Sequence, residues 1–149
     1  GQIITTEVIP MVKPIVKDIF TLVQPCEPAT PMDVNGAAKD LLDTFLDNGK
    51  VTGMAANMIG YTKRIIVIKN IDNGDAVQLM FNPEVIEKND LYPAEEYCIC
   101  LERRHTAKRY ETIVVKYQDE HFQEQTASFS GFLARIVQHQ IDHCNSLVI

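Results

Sequence analysis

The chain has 149 residues, of which 46% are hydrophobic and 23% charged, the balance of one globular domain with its own core and too short for two. A formal charge of −6 and a pI near 5.1 argue against a nucleic-acid groove or an affinity for anionic membranes. No apolar run approaches the roughly 20 residues that cross a bilayer, and no basic segment followed by an apolar one opens the chain, so a cytoplasmic location is expected. Cys26, Cys98, Cys100 and Cys144 would form two disulfides in an oxidising compartment. In the reducing one expected here they are free thiols, either small hydrophobes or metal ligands.

Residues 1–25 alternate short apolar runs with Pro10, Pro14 and Pro25 and read as an extended arm or a broken helix. PCEPATPMDV (25–34) is a loop that leads into a helix. From Val34 to Asp47, Ala37, Leu41, Leu42, Phe45 and Leu46 recur at helical spacing, and Asn48-Gly49 stops the run. In TGMAANMIG (52–60) small residues between two glycines allow close backbone approach, or make a tight connection between a helix and a strand. RIIVIKNI (64–71) and VQLMFNP (77–83) read as strands joined by the turn DNGDA. Pro83 and Pro93 bracket a further strand-like piece, VIEKNDLY. YETIVVKYQDE (110–120) alternates as a half-buried strand, a turn follows at 118–121, and FQEQTASF (122–129) is its hairpin partner. The last element is a helix capped by Ser130, with Phe132, Leu133, Ile136, Val137 and Ile141 as its buried stripe. Strands joined by tight turns between helices predict a single α+β domain over 1–149, with a mainly antiparallel sheet packed against the C-terminal helix.

The chemistry lies in that helix. IVQHQIDHC (136–144) places His139 and His143 four residues apart, on one helix face, as a bidentate fragment for a transition metal. The plainer reading is two partly exposed helical histidines without a ligand. A catalytic metal site needs a third protein ligand and an open position. The candidates are Cys98, Cys100, Glu95, Glu96 and His105; in an extended AEEYCICL (94–101) both cysteines point to one side, and spacing does not choose between them.

TGMAANMIG, EEYCIC and QHQIDH stand in the order, and at about the separations, of the three signature motifs of the peptide deformylases, GxGxAAxQ, EGCxS and HExDH. MVKPIVKDIF resembles the family's N-terminal arm, FNPEVI its strand before the cysteine motif, and FSGFLARIVQHQIDH its C-terminal helix. The resemblance covers nearly the whole chain and implies the same α+β fold. It implies that Cys98, His139 and His143 hold one divalent transition metal, Fe2+, Ni2+ or Zn2+, that Cys100 stands at a serine position, and that Glu96 supports the ligands. Arg104 fits the arginine that follows the family's cysteine only with a one-residue shift, a gap-free count landing on His105. In the family, water activated at the metal attacks the formyl carbon of an N-formylmethionyl nascent peptide. A glutamate carries the proton to the leaving amine, and the motif-one glutamine and a backbone N–H, here that of Ile99, hold the oxyanion.

Several catalytic positions depart from the pattern. Gln140 stands for the proton-carrying glutamate and Met58 for the oxyanion glutamine, although Gly53 keeps its motif-one glycine. Tyr97 replaces the glycine beside the metal cysteine and is expected to fill part of the groove. Two functions follow. The first is a metal amidohydrolase that deformylates N-formylmethionyl peptides; the second is a pseudoenzyme that keeps the fold and the metal and binds peptides, or a translation partner such as the ribosome, without cleavage.

Overall fold

A computed structural model describes residues 9–148; the first eight residues of the proline-punctuated arm, and Ile149, lie outside them. In chain order the elements are α1 (Ile19–Leu22), a 3-10 turn (Pro31–Asn35), α2 (Ala37–Asp47), β1 (Gly53–Ala55), a second 3-10 turn (Ala56–Ile59), β2 (Ile65–Asn70), β3 (Ala76–Cys98), β4 (Arg103–Gln118), β5 (Glu124–Ser130) and α3 (Gly131–Cys144). The strands form one sheet in sequence order, every neighbour antiparallel, so the expected α+β architecture is the observed one.

Several local expectations are corrected. VIEKNDLY is not a separate strand: β3 runs through both prolines for 23 residues. Pro83 falls where the β3–β4 ladder slips between Phe81 and Glu84. Pro93 lies beyond Phe81, where β2 no longer pairs and β3 has a neighbour on one side only. Those are the two settings, bulge and edge, in which a missing N–H costs no ladder bond. β4 starts at Arg103 rather than at Tyr110. The second helix starts at Ala37, because Pro31–Asn35 closes as a 3-10 turn and Gly36 breaks the chain direction after it. Ser130 sits at the N-cap of α3 but makes no side-chain cap bond; it is still paired with Thr112 as the end of β5, and Gly131, with φ of +60°, makes the turn into the helix. Phe132 is exposed rather than part of the buried stripe, whereas Leu133, Ile136, Val137 and Ile141 are buried as expected.

The core gathers around β2. Ile65, Ile66, Val67 and Ile68 are all fully buried, so both strand faces are covered, and both α2 and α3 pack against it. Phe81, Leu41, Met80 and Leu22 complete the packing. Asn57, at 1% exposure, donates to the carbonyls of Leu22 (3.3 Å) and His143 (2.8 Å). It thereby locks the turn after β1 onto the C-terminal half of α3. No helix among the described residues is long and apolar enough to cross a membrane.

Candidate metal centre

Because α3 lies across β1, β2 and β4, its His139–His143 face meets the end of β3. The two imidazole rings are 5.1 Å apart, centroid to centroid, and Cys98 Sγ is 3.6 Å from His143 Nε2. The donor atoms of Cys98, His139 and His143 all lie within 4.8 Å of one another, and the three side chains are buried. His139 Nδ1 is hydrogen-bonded to Glu96 Oε1 at 2.9 Å. That bond places the ring proton on Nδ1 and leaves the Nε2 lone pair free to ligate, the usual orienting device around metal histidines. One thiolate and two imidazoles suit a divalent first-row ion and leave a fourth position for water or substrate, so the residues present fit such an ion.

The local charges agree. Hydrogen bonding from the Cys100 thiol, with help from His139 and His143, outweighs burial and holds the Cys98 thiol far below its ordinary range. The same contact with Cys98, then burial, pushes the Cys100 thiol far up. Burial opposes charge on His139, yet its bonds to Cys98 and Glu96 raise it to about 9. Burial would likewise raise Glu96, but His139 and Arg109 hold it at about 2. Both directions favour the charged forms of Cys98 and His139 when no ion is bound, and ligation requires His139 to give up that proton.

Of the two cysteines, geometry brings Cys98 to the histidines. Cys98 closes β3 with its sulfur against the histidines, whereas Cys100 lies in the following turn, outside the ligand group. Glu96, His105 and His139 form a second close group, but both oxygens of Glu96 are already engaged. Arg109 donates to them from Nε (2.9 Å) and Nη2 (2.7 Å), so Glu96 orients His139 and is not free to ligate. Arg109 also donates from Nη1 to Asp142 Oδ2 at 2.5 Å. Arg109 and Asp142 are the supporting residues that motif reading passes over. Arg109 is detectable from β4's alternation, being in phase with Ala107, Ile113 and Val115, all buried, and a buried arginine needs acidic partners.

A cavity of about 570 Å³ opens beside Cys98 and His139, and Gly53, Met58, Tyr97, Ile99, Ile136 and Gln140 also line it. Gln140 is 6% exposed, and its Oε1 has no hydrogen-bond partner. Gly53 makes this placement feasible: a Cβ there would sit 2.9 Å from Ile136 Cγ2 and 3.1 Å from Gln140 Nε2. Met58 turns its sulfur to accept the Ala55 N–H at 3.2 Å and offers no donor. Tyr97, just over half exposed, stands on the cavity wall. Arg104 does not reach the cavity. It is exposed on β4, cross-strand from Tyr97 and out of phase with the inward residues 105, 107 and 109.

The chain and its fold have counterparts among known proteins. A peptide deformylase of Clostridium beijerinckii is 43% identical over 140 residues, which span 93% of this chain and all of that relative. The crystal structure of a peptide deformylase from Legionella pneumophila superposes with a TM-score of 0.83 at 26% identity, over 92% of this chain and 83% of that one. A Met-Ala-Ser-bound class I type b peptide deformylase from Acinetobacter baumannii gives 0.81 at 28% identity, over 92% and 96%. The sequence model described as polypeptide deformylase matches residues 10–149. With a relative this similar over its whole length, the chain belongs to the polypeptide deformylase family.

Proposed function

We propose that this single domain is a metal-dependent deformylase-type amidohydrolase that binds N-formylmethionyl peptides tightly and cleaves them slowly. Cys98, His139 and His143 hold one divalent ion, iron, nickel or zinc. When bound, the ion supplies Lewis acidity toward a formyl carbonyl and toward water. The remaining roles fall to the chain. Glu96 fixes the His139 ring, and Arg109 fixes Glu96. The Ile99 N–H serves as the oxyanion donor, and the cavity beside it takes the peptide. The similarity to the A. baumannii deformylase described as Met-Ala-Ser-bound supports a peptide of that kind as ligand.

The observation that carries slow turnover is the state of Gln140. It occupies the buried position beside His139 and cannot move a proton, and the carboxylate of Glu96, on the same cavity wall, is consumed by Arg109 and His139. Loss of a positioned general acid–base costs roughly 10²–10⁴-fold. Met58 in place of an oxyanion donor adds to the deficit. Gln140 Oε1, unpartnered, retains an acceptor for a substrate N–H, so binding outlasts chemistry. The test is calorimetric titration of formyl-Met-Ala-Ser into the metal-loaded protein with formate measured in parallel. Saturable binding with little formate released over the titration is expected. Absence of binding would overturn the substrate assignment, and rapid formate release would overturn slow turnover.

A further inference from the structure

We propose that the N-terminal arm is a strap that sets the separation of the two walls of the site, with Lys17 as its positioning residue. Two consecutive residues of the arm reach the two site-bearing segments. The Val16 N–H donates to the Met58 carbonyl at 2.8 Å, on the wall built by the turn after β1. The Lys17 ammonium donates to the Ile99 carbonyl at 2.7 Å and to Glu102 Oε1 at 2.9 Å, on the wall built by the end of β3. Upstream the arm is tied to α2, where the Met11 N–H meets Asp43 Oδ2 (3.0 Å) and the Lys13 N–H meets Thr44 Oγ1 (2.9 Å). The strap therefore has one fixed end and one working end.

The working end grips a segment that needs holding. After Cys98 the chain folds back, with the N–H groups of Leu101 and Glu102 both donating to the Cys98 carbonyl (3.2 and 2.8 Å). Glu102 has a φ of +53°, the left-handed region that a β-carbon disfavours. Lys17 bonds the carboxylate of that strained residue and the carbonyl of Ile99, the residue next to the Cys98 ligand. The half-exposed Lys17–Glu102 ion pair by itself contributes little to folding. Its effect is on the orientation of the turn, hence of Cys98 Sγ toward the two histidines. No other residue of the described arm bonds this turn through its side chain.

The inference rests on Cys98 being a ligand, and cobalt binding separates the two claims without recourse to activity. Co2+ is titrated into the metal-free full chain, its wild type, Lys17→Met and Lys17→Arg, followed through the thiolate-to-cobalt charge-transfer absorption, with the melting temperature of each metal-free protein as control. Wild type is expected to bind about one Co2+ with the thiolate band. Removal of a group that orients a ligand from outside the coordination sphere typically costs about 10–100-fold in metal affinity, and Lys17→Met should show that loss at a nearly unchanged metal-free melting temperature. Lys17→Arg, which keeps the cation, should recover most of it. If wild type binds and Lys17→Met binds as tightly, the strap is overturned. If affinity falls only in step with the metal-free melting temperature and Arg does not rescue it, the role is structural and the positioning claim is overturned. If wild type shows no thiolate band, the ligand assignment itself fails.

Discussion

Replacing Arg109 by Met removes the guanidinium while keeping a side chain of similar reach, and it tests the buried network directly. Arg109 is 2% exposed, makes two bonds to Glu96 and one to Asp142, and leaves behind acids whose side chains are 9% and 20% exposed. Stranding one side of a buried ion pair costs about 3–5 kcal/mol. Arg135, 3.5 Å from Glu96 Oε2, and His139 keep part of the compensation, so the expected loss is near the lower end, about 3 kcal/mol. With a urea m-value of about 1.5 kcal/mol per molar, the midpoint should fall by roughly 2 M. Glu96→Gln/Arg109→Met should cost less than the sum of its single changes, with a coupling above about 1 kcal/mol. Equilibrium urea unfolding of the four metal-free proteins measures this. A loss below about 1 kcal/mol for Arg109→Met, or additive single changes, would refute the reasoning.

Gly53→Ala places a Cβ against Ile136 and Gln140; overpacking at such a contact costs about 1–3 kcal/mol, read as a lower melting temperature, together with a weaker formyl-peptide affinity as the Gln140 side chain is displaced. Phe81→Ala empties a fully buried position whose ring meets that of Phe122 at 5.0 Å, tilted by 47°, and should cost about 3–5 kcal/mol in urea unfolding. Chelation of the bound metal should lower the melting temperature of the wild type, since an ion that binds only the folded chain stabilises it, and should leave that of Cys98→Ala little changed.

What was legible in the sequence is what depends on neighbours along the chain. The i, i+4 histidines and the α3 stripe from Leu133 to Ile141 are periodic, and period alone assigns them a face, while the β2 run is legible as four consecutive β-branched residues. The three site segments were legible because each is contiguous. The burial of Arg109 is legible in β4's alternation but its partner is not, because the β3–β4 pairing that brings it to Glu96, thirteen positions away, is stated by no local pattern. Arg104 illustrates the same limit: counting along the chain brought it near the family's arginine, while the strand's two-residue alternation turns it outward. The prolines around VIEKNDLY read as strand ends because proline propensity carries no information that Pro83 falls at a slip and Pro93 at a strand with one free side. Helical spacing alone turns Phe132 inward, yet it is exposed and lines the cavity, with Arg135 5.4 Å above its ring.

The proposed reading of the site, intact for binding and short of a proton carrier, turns on Gln140. It is tested most directly by measuring formate release from formyl-Met-Ala-Ser by the wild type and by Gln140→Glu, both loaded with the same metal to the same occupancy. Gln140→Glu should raise kcat about 10²–10⁴-fold with a KM within a few-fold of the wild type's peptide affinity. Wild-type turnover equal to that of Gln140→Glu would contradict it.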